Sequence, residues 1–566
     1  MNGRHLLFVF AFLSALCLTS ACQNEDSFEH TNSLRIQVSN PPDILNPILS
    51  RTDVSRQIET LMYLPLAIYN GDENQWIPVL TKHYEVESLN DGGVIYRMTM
   101  HPDARWSDGE LIKIDDVLFT LKMSLNPYLE SHSWAAYVEL IDTVRVIQDE
   151  MIIKMNDPYI LADEFIASFQ PLPKHVLDPD GVMDDLSFLE MKNMSSLDPE
   201  KREILKQLSV FFNDYGKVNQ GSIVVSGPYM VSSWSTDQAL RLRRLESFWG
   251  DMDSQLEELF SGGIDTIQYV FISDLQNALN AFANGHIDLI QSLTEKDSGL
   301  IMNSGGEIIP VPTYQMFYIS LNHRKPLLEQ RRIRRGLSLM IDRKDMIQKL
   351  FHGKGQRAEG PIHPEKSYFT SFSDGFDPEK ALAIFEEMGC ERRAGVLHCP
   401  IKQEMIPMRF HLWTTQSSLS RQVATLLKSY WRKAGIDLII QSADFRTFLP
   451  ELQNKTFDMA ALALRQNNIL DDPYPLWHSS QSGQTGKNYQ GMAIDSVDAI
   501  LEELRRSVDP ESQNILYKKL QEQFYLEEPV LFLVAPHDVI GVNAQVDLYR
   551  IKEKPGFDLL RTKWKR

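Results

Sequence analysis

Two strand–helix–strand units, far apart in the chain, constrain the fold more than any other feature of this sequence. In the first, the apolar pattern predicts a strand from Ile264 to Ile272 and a helix from Asp274 to Ala283. Gly285-His286-Ile287-Asp288-Leu289 then reads as a turn into another strand. In the second, Met408 to Trp413, Arg421 to Lys433 and Gly435 to Ile440 repeat the order strand, helix, strand. Alternation of this kind places helices over a sheet, so the expected class is α/β. At 566 residues the chain is also too long for one compact core. Each unit is therefore expected to organise its own lobe.

Shorter signals fill in the rest. Leu34 to Val38 alternates as a strand, Pro41-Pro42 and Asn46-Pro47 break it, and Val54 to Leu66 reads as mostly helical. Val94 to Met100 is a strand pattern, and Val144 to Val146 and Met151 to Met155 are shorter ones. Arg105-Trp106-Ser107-Asp108-Gly109 reads as an aromatic anchor followed by a tight turn, with Gly109 free to adopt positive φ. Ile114, Val117, Leu118 and Leu121 then share one face of a helix. Residues 177–220 form a polar insertion with some helix, for instance Glu200 to Phe212. Further on, Phe317 to Asn322 and Pro529 to Val534 read as strands, while Asp377-Pro378 and Asp509-Pro510 are capped helix starts.

The N-terminus gives an address. Arg4 precedes an apolar run from Leu6 to Leu18 that is too short to span a bilayer comfortably, and small residues follow it. This is the pattern of a secretory signal over 1–21. Ser20-Ala21-Cys22 resembles a bacterial lipobox, which implies cleavage before Cys22 and lipid on its thiol, with 22–32 as a polar tether. A plain signal peptide or an uncleaved anchor are the other readings. The folded part is thus expected in the periplasm or at the cell surface, attached to the membrane through lipid. Of the remaining cysteines, Cys390 and Cys399 lie in a Gly- and Pro-bearing segment and are expected to form a disulfide in an oxidising compartment. Two thiols with only His398 nearby do not make a zinc spacing.

The formal charge of -19, with no concentrated basic stripe, argues against nucleic acid as a partner. There is no H-E-x-x-H and no G-x-S-x-G, and Gly486-Lys487-Asn488 lacks the upstream Gly and the hydroxyl residue of a phosphate loop. The expectation is a protein that is not an enzyme and uses no cofactor or metal.

The Trp106 turn and Asp115-Asp116-Val117 together resemble the W-S-D-G-x-P-x-T-A-x-D-V signature of the family 5 extracellular solute-binding proteins, the peptide receptors of ABC importers. Leu111, Lys113 and Ile114 depart from it. The resemblance continues in order through Trp76-Ile77-Pro78-Val79-Leu80, Pro173-Lys174-His175, Gly227-Pro228-Tyr229 with Trp249-Gly250, Ala281 through Asp288, and Ile333-Arg334-Arg335-Gly336 to Ile341-Asp342-Arg343. Gly336 stands where the family has Ala, which costs a helix up to ~1 kcal/mol unless a close contact requires it. The resemblance implies a two-lobed periplasmic-binding-protein fold of the class II type, with an extra subdomain on lobe I and a hinge. Lobe I would take 33–70, 222–316 and 536–566, the subdomain 71–221, and lobe II 317–535. The implied partners are a peptide or other small solute and ABC permease subunits, and the implied state is a monomer.

The resemblance also points to ligand-contacting residues. Leu45-Asn46-Pro47 corresponds to an L-D-P turn near the cleft, or is an ordinary Pro-bounded loop. The family clamp has the form W-x-A-D-Y-x-D-P, its first Asp pairing with a peptide's N-terminal ammonium. Aligning its end with Asp472-Pro473 puts Ile469 at that Asp, and Ile469 cannot bind a cation. Either Asp471 takes over, or the ligand has no ammonium there and Asp471 and Asp472 cap the next turn. Arg421 and Arg465 offer bidentate forks for a carboxylate or are solvated surface groups. Trp413, Tyr474 and Trp477 line a cleft or pack a core, and Ser320 occupies a cleft-facing polar position of the family. A glycoside or metal chelate as solute, a secreted enzyme, or a sensor that reuses the fold are the alternatives.

Overall fold

The computed structural model describes residues 32–70, 75–89, 92–131, 134–218, 223–291, 293, 295–312, 314–466, 468–483, 486–552 and 555–565. The signal 1–21, Cys22 and nearly all of the tether lie outside them. Both strand–helix–strand units form. Ser33–Val38 pairs in parallel with Thr266–Phe271 on one side and with Leu289–Ile290 on the other. The helix Leu275–Ala283 is capped by the Asp274 side chain and buries Ala278, Leu279 and Phe282. In the second unit Arg409–Thr415 pairs in parallel with Asp437–Ala443, and the helix Ser418–Arg432 buries Val423, Ala424, Leu427, Tyr430 and Trp431.

One continuous strand ties the two units together. Val530–Asn543 pairs through its first half with Gln315–Leu321 and Gly355–Arg357, and through its second half with Gly306–Pro312 and Leu289–Ile290. Sequence patterning ends this strand at Val534. In the structure Pro536 falls where the strand exchanges its lobe II partners for its lobe I partners, and the strand runs through it. A second connection, between Gly306–Pro312 and Gln315–Leu321, passes the same seam, with Tyr314 at φ 47°. These two passages join the halves of a two-lobed molecule.

The subdomain on lobe I is an antiparallel sheet in the order Thr81–Ser88, Val94–Met100, Glu150–Met155, Thr143–Ile147. Val94, Tyr96 and Met98 alternate into its core, which is continuous with that of lobe I. The helix Ile114–Ser124 covers it, and the insertion contributes the helix Pro199–Asp214. Trp106 is buried and its indole N–H donates to Asp116, which also accepts the backbone N–H groups of Lys113 and Lys174. The backbone N–H of Ser107 donates to the Val225 carbonyl, and the Val225 N–H donates to the Ser107 hydroxyl. The Trp106 turn therefore fastens the subdomain to lobe I. Gly109 has φ 96°, as the turn requires.

Lobe II is fastened by other motif residues. A Cβ on Gly336 would lie 2.4 Å from the Phe385 ring, so the helix Arg331–Leu339 gives up propensity to let Pro378–Glu387 pack closely. Arg334 is buried and donates to the carbonyls of Leu328, Glu329, Glu527 and Glu528. Cys390 and Cys399 are joined in a disulfide. It braces a small sheet of Glu391–Arg393, Val396–Ile401 and Glu404–Pro407, which sequence patterning did not reveal.

Candidate functional site

The strand Met459–Arg465 delivers a loop, 466–473, to the face that lobe II turns toward the subdomain. The subdomain meets it with the helix Ala162–Ala167 and the residues before it. Glu164 accepts the Ile469 N–H at 2.8 Å. The Tyr159 hydroxyl donates to Asp472 Oδ2 at 3.1 Å, Arg505 Nε lies 3.2 Å from the same oxygen, and the Ile160 N–H donates to the Arg505 carbonyl. The Arg505 guanidinium also lies over the Tyr474 ring at 4.6 Å. Ile160 and Leu161 pack into a core cluster of lobe II that contains Tyr318, Leu501, Leu504 and Tyr517. Nearer the two joining passages, Arg465 Nη1 lies 3.7 Å from Asp53 Oδ2 on the helix Asp53–Met62 of lobe I.

Behind the loop, lobe II supplies the partners. Lys366 donates its ammonium to the Asn468 carbonyl and places it 4.0 Å from Asp471 Oδ2 and 4.2 Å from the centre of the Tyr314 ring. The Tyr368 hydroxyl donates to Asp471 Oδ2 at 2.6 Å. The Tyr517 hydroxyl takes the Asp471 N–H and donates to the Asp471 carbonyl, while stacking on Tyr368 at 4.0 Å. Gln466 accepts the His363 N–H and donates to the Pro361 carbonyl.

Burial dominates the electrostatics. It pushes the Asp471 carboxyl up to about 6 against the opposing pull of Lys366 and Tyr368. It pushes Glu164 up to about 7 against the Ile469 N–H and Lys366. Burial also raises Asp472, with Arg505 the main opposing charge. His363 is lowered to about 3 by burial and by Lys366, so its imidazole is neutral. The arrangement holds and orients charged groups at a lobe boundary. Among the described residues, no group of three or more His, Cys, Asp or Glu side chains is placed to hold a metal ion, and no helix is long and apolar enough to cross a membrane.

The structure gathers Arg465, Ile469, Asp471, Asp472 and Tyr474 around this boundary. Other candidates lie elsewhere. Leu45 and Asn46 are enclosed in lobe I, where the Asn46 amide donates to the carbonyls of Phe212 and Tyr215 and its oxygen accepts the Ile48 N–H. These bonds tie the turn to the end of the insertion helix Pro199–Asp214. Ser320 is buried in the sheet with its hydroxyl 3.4 Å from Gln490. Trp413 is partly buried against the cluster of Phe448, Leu452 and Phe457. Trp477 is 1% exposed and packs edge-on against Tyr318, Phe524 and Phe532, as a core residue does. Arg421 lies in an open depression lined by Leu350, Ser418, Gln422, Thr425 and Leu426, none of them in the loop. Asn467 and Cys22 lie outside the described residues. Glu164, Lys366, Tyr159, Tyr368 and Arg505 were invisible to motif reading, because none sits in a periodic or recognisable pattern.

Comparison with known proteins gives this geometry its setting. A profile of the bacterial extracellular solute-binding proteins, family 5, matches residues 75–487. The oligopeptide-binding protein AppA of Bacillus subtilis (strain 168) is 21% identical over 531 residues, which cover 91% of this chain and 88% of that protein. The ABC transporter substrate-binding protein CtaP of Listeria monocytogenes superposes with a TM-score of 0.73 at 19% identity, over 94% of this chain and 99% of that one. The Bacillus subtilis AppA structure in complex with a nonapeptide superposes with a TM-score of 0.65 at 18% identity, over 94% and 99% of the two chains. The family profile matches well over half of the chain, and the chain belongs to the bacterial extracellular solute-binding proteins of family 5.

Proposed function

We propose that this chain is the extracytoplasmic substrate-binding component of an ABC importer, which captures peptides or peptide-like solutes between its lobes and passes them to a permease unchanged. The observation that carries this reading is the way the lobes are joined. They share one strand, Val530–Asn543, and lobe II meets the subdomain through a small set of contacts around the loop 466–473. A hinge of that kind permits rotation, and a solute enclosed by it exchanges water for fixed polar partners. The peptide-binding relatives support the solute class.

In this reading lobe I comprises 33–70, 222–316 and 536–566, the subdomain 71–221, and lobe II 317–535. A signal over 1–21 is removed, lipid on Cys22 anchors a monomer to a membrane in the periplasm or at the cell surface, and 22–32 is the tether. Titration calorimetry with defined pools of short peptides tests the reading, with small-angle scattering on the same samples. Saturable binding with a decrease in radius of gyration is the expected result. No saturable heat from peptide, sugar or metal-chelate pools would overturn it. Ile469, at the family's acidic clamp position, favours a second reading in which the solute is a glycoside or metal chelate. Heat from only those pools would select it.

A further inference from the structure

Lys366 has a side chain only 3% exposed, and its ammonium is held by the loop that faces the other lobe. It donates to the Asn468 carbonyl, lies 3.5 Å from the Ile469 carbonyl oxygen and 4.0 Å from Asp471 Oδ2, and stands 4.2 Å above the Tyr314 ring. Carbonyl oxygens, a carboxylate and an aromatic face are together the chemistry that receives a primary ammonium. The receptor is itself braced, since Tyr368 holds the Asp471 carboxylate and Tyr517 holds the Asp471 backbone on both its N–H and its carbonyl. The peptide group between Asn468 and Ile469 is gripped from both sides. Lys366 takes its carbonyl from within lobe II, and Glu164 takes its N–H from the subdomain. A buried ammonium is costly unless its partners are built for it, so this lysine is a specified feature of the loop.

We propose that Lys366 fills, from within the chain, the place that a solute's primary ammonium would take against Asn468–Asp471, so that the cleft selects solutes whose end at this loop carries no free amino group. This rests on the peptide-like reading above and narrows it to blocked or amine-free ends. Asp471 is then a partner of the protein's own cation and not a ligand clamp.

Two measurements on the full-length chain test the assignment. The first is calorimetry with one short peptide in free and N-acetylated form. The wild type is expected to bind the two within about threefold of each other or to prefer the acetylated form. Lys366→Met is expected to shift the ratio about tenfold toward the free amine, and Lys366→Arg to keep the wild-type ratio. A wild type that binds the free form about tenfold more tightly overturns the proposal. The second measurement needs no solute. Butylammonium chloride is expected to raise the melting temperature of Lys366→Ala more than it raises that of the wild type, and 1-butanol at equal concentration is not. Rescue in a protein that binds neither peptide keeps the internal cation and removes only the peptide reading. No rescue, with an unchanged ratio in Lys366→Met, overturns the internal cation itself.

Discussion

The turn at Trp106 and the loop at Asn468–Asp472 each hold a buried aspartate, and they differ in what surrounds it. Asp116 accepts N–H groups from Trp106, Lys113 and Lys174, all within the subdomain and two of them backbone. Asp471 is held by a tyrosine hydroxyl and faces a lysine whose long side chain reaches it from another segment. The loop around it is in turn touched from across the lobe boundary by Glu164 and Tyr159. The first arrangement is closed and rigid. The second is assembled from side chains of separate segments, Lys366, Tyr368, Glu164 and Tyr159. Family membership is written in the first region, and solute choice is what we propose for the second.

The sharpest way to break that comparison is Trp106→Ala. The indole is 2% exposed, and truncation removes its packing and the Nε1 donor to Asp116. Loss of a buried Trp side chain costs about 4 kcal/mol. Denaturant unfolding should report a loss of that size, while calorimetry on the folded variant returns the wild-type ranking of solutes. An unchanged midpoint with an altered ranking would erase the distinction between the two regions.

The same contrast explains what was legible in the sequence. The Trp106 turn could be read because it is local: the aromatic, the Gly at positive φ and the helix that follows lie within a few residues of one another. The two strand–helix–strand units could be read from apolar spacing for the same reason. Gly336 was visible as an anomaly, and its cause, a Phe385 ring 2.4 Å from where a Cβ would stand, is a packing contact between two helices that no local pattern carries. The apolar pattern carries the Val530–Asn543 strand only to Val534, because the crossing between lobes is a property of its partners. The loop could be located by alignment, but its chemistry could not. Lys366, Glu164 and Tyr517 come from three distant segments, and each alone is an ordinary residue.

A second substitution probes how the loop is held to the subdomain. Burial raises Glu164 from its ordinary value of 4.5 to about 7, so its protonated form favours the folded state. That contribution is complete below the ordinary value and is lost as pH rises through about 7. Glu164→Gln keeps a carbonyl oxygen for the Ile469 N–H and has no proton to lose. The variant should match the wild type near pH 4.5, the carboxyl's ordinary value, and exceed it by about 3 kcal/mol at about pH 8. Parallel stability profiles for the two proteins would mean that the carboxyl is not confined by the loop, and the lobe boundary would then be looser than its geometry implies.

The smallest effect is expected at Arg465→Ala, and it sharpens the comparison by its size. Arg465 Nη1 lies 3.7 Å from Asp53 Oδ2 across the lobes, with the two side chains 49% and 55% exposed. Its Nε donates to Gln315 Oε1 on the neighbouring strand. Exposed pairs of this kind are screened by salt and contribute under about 0.5 kcal/mol. Denaturant unfolding should therefore hardly change. The lobes remain joined by Val530–Asn543 and by the Ile160–Leu161 packing, neither of which the substitution touches. A loss above about 2 kcal/mol, weakening as salt is added, would show instead that charge holds the lobes together. Arg465 would then have to be counted with the rigid fastenings, and the exchangeable part of the boundary would shrink to the peptide group that Lys366 and Glu164 share.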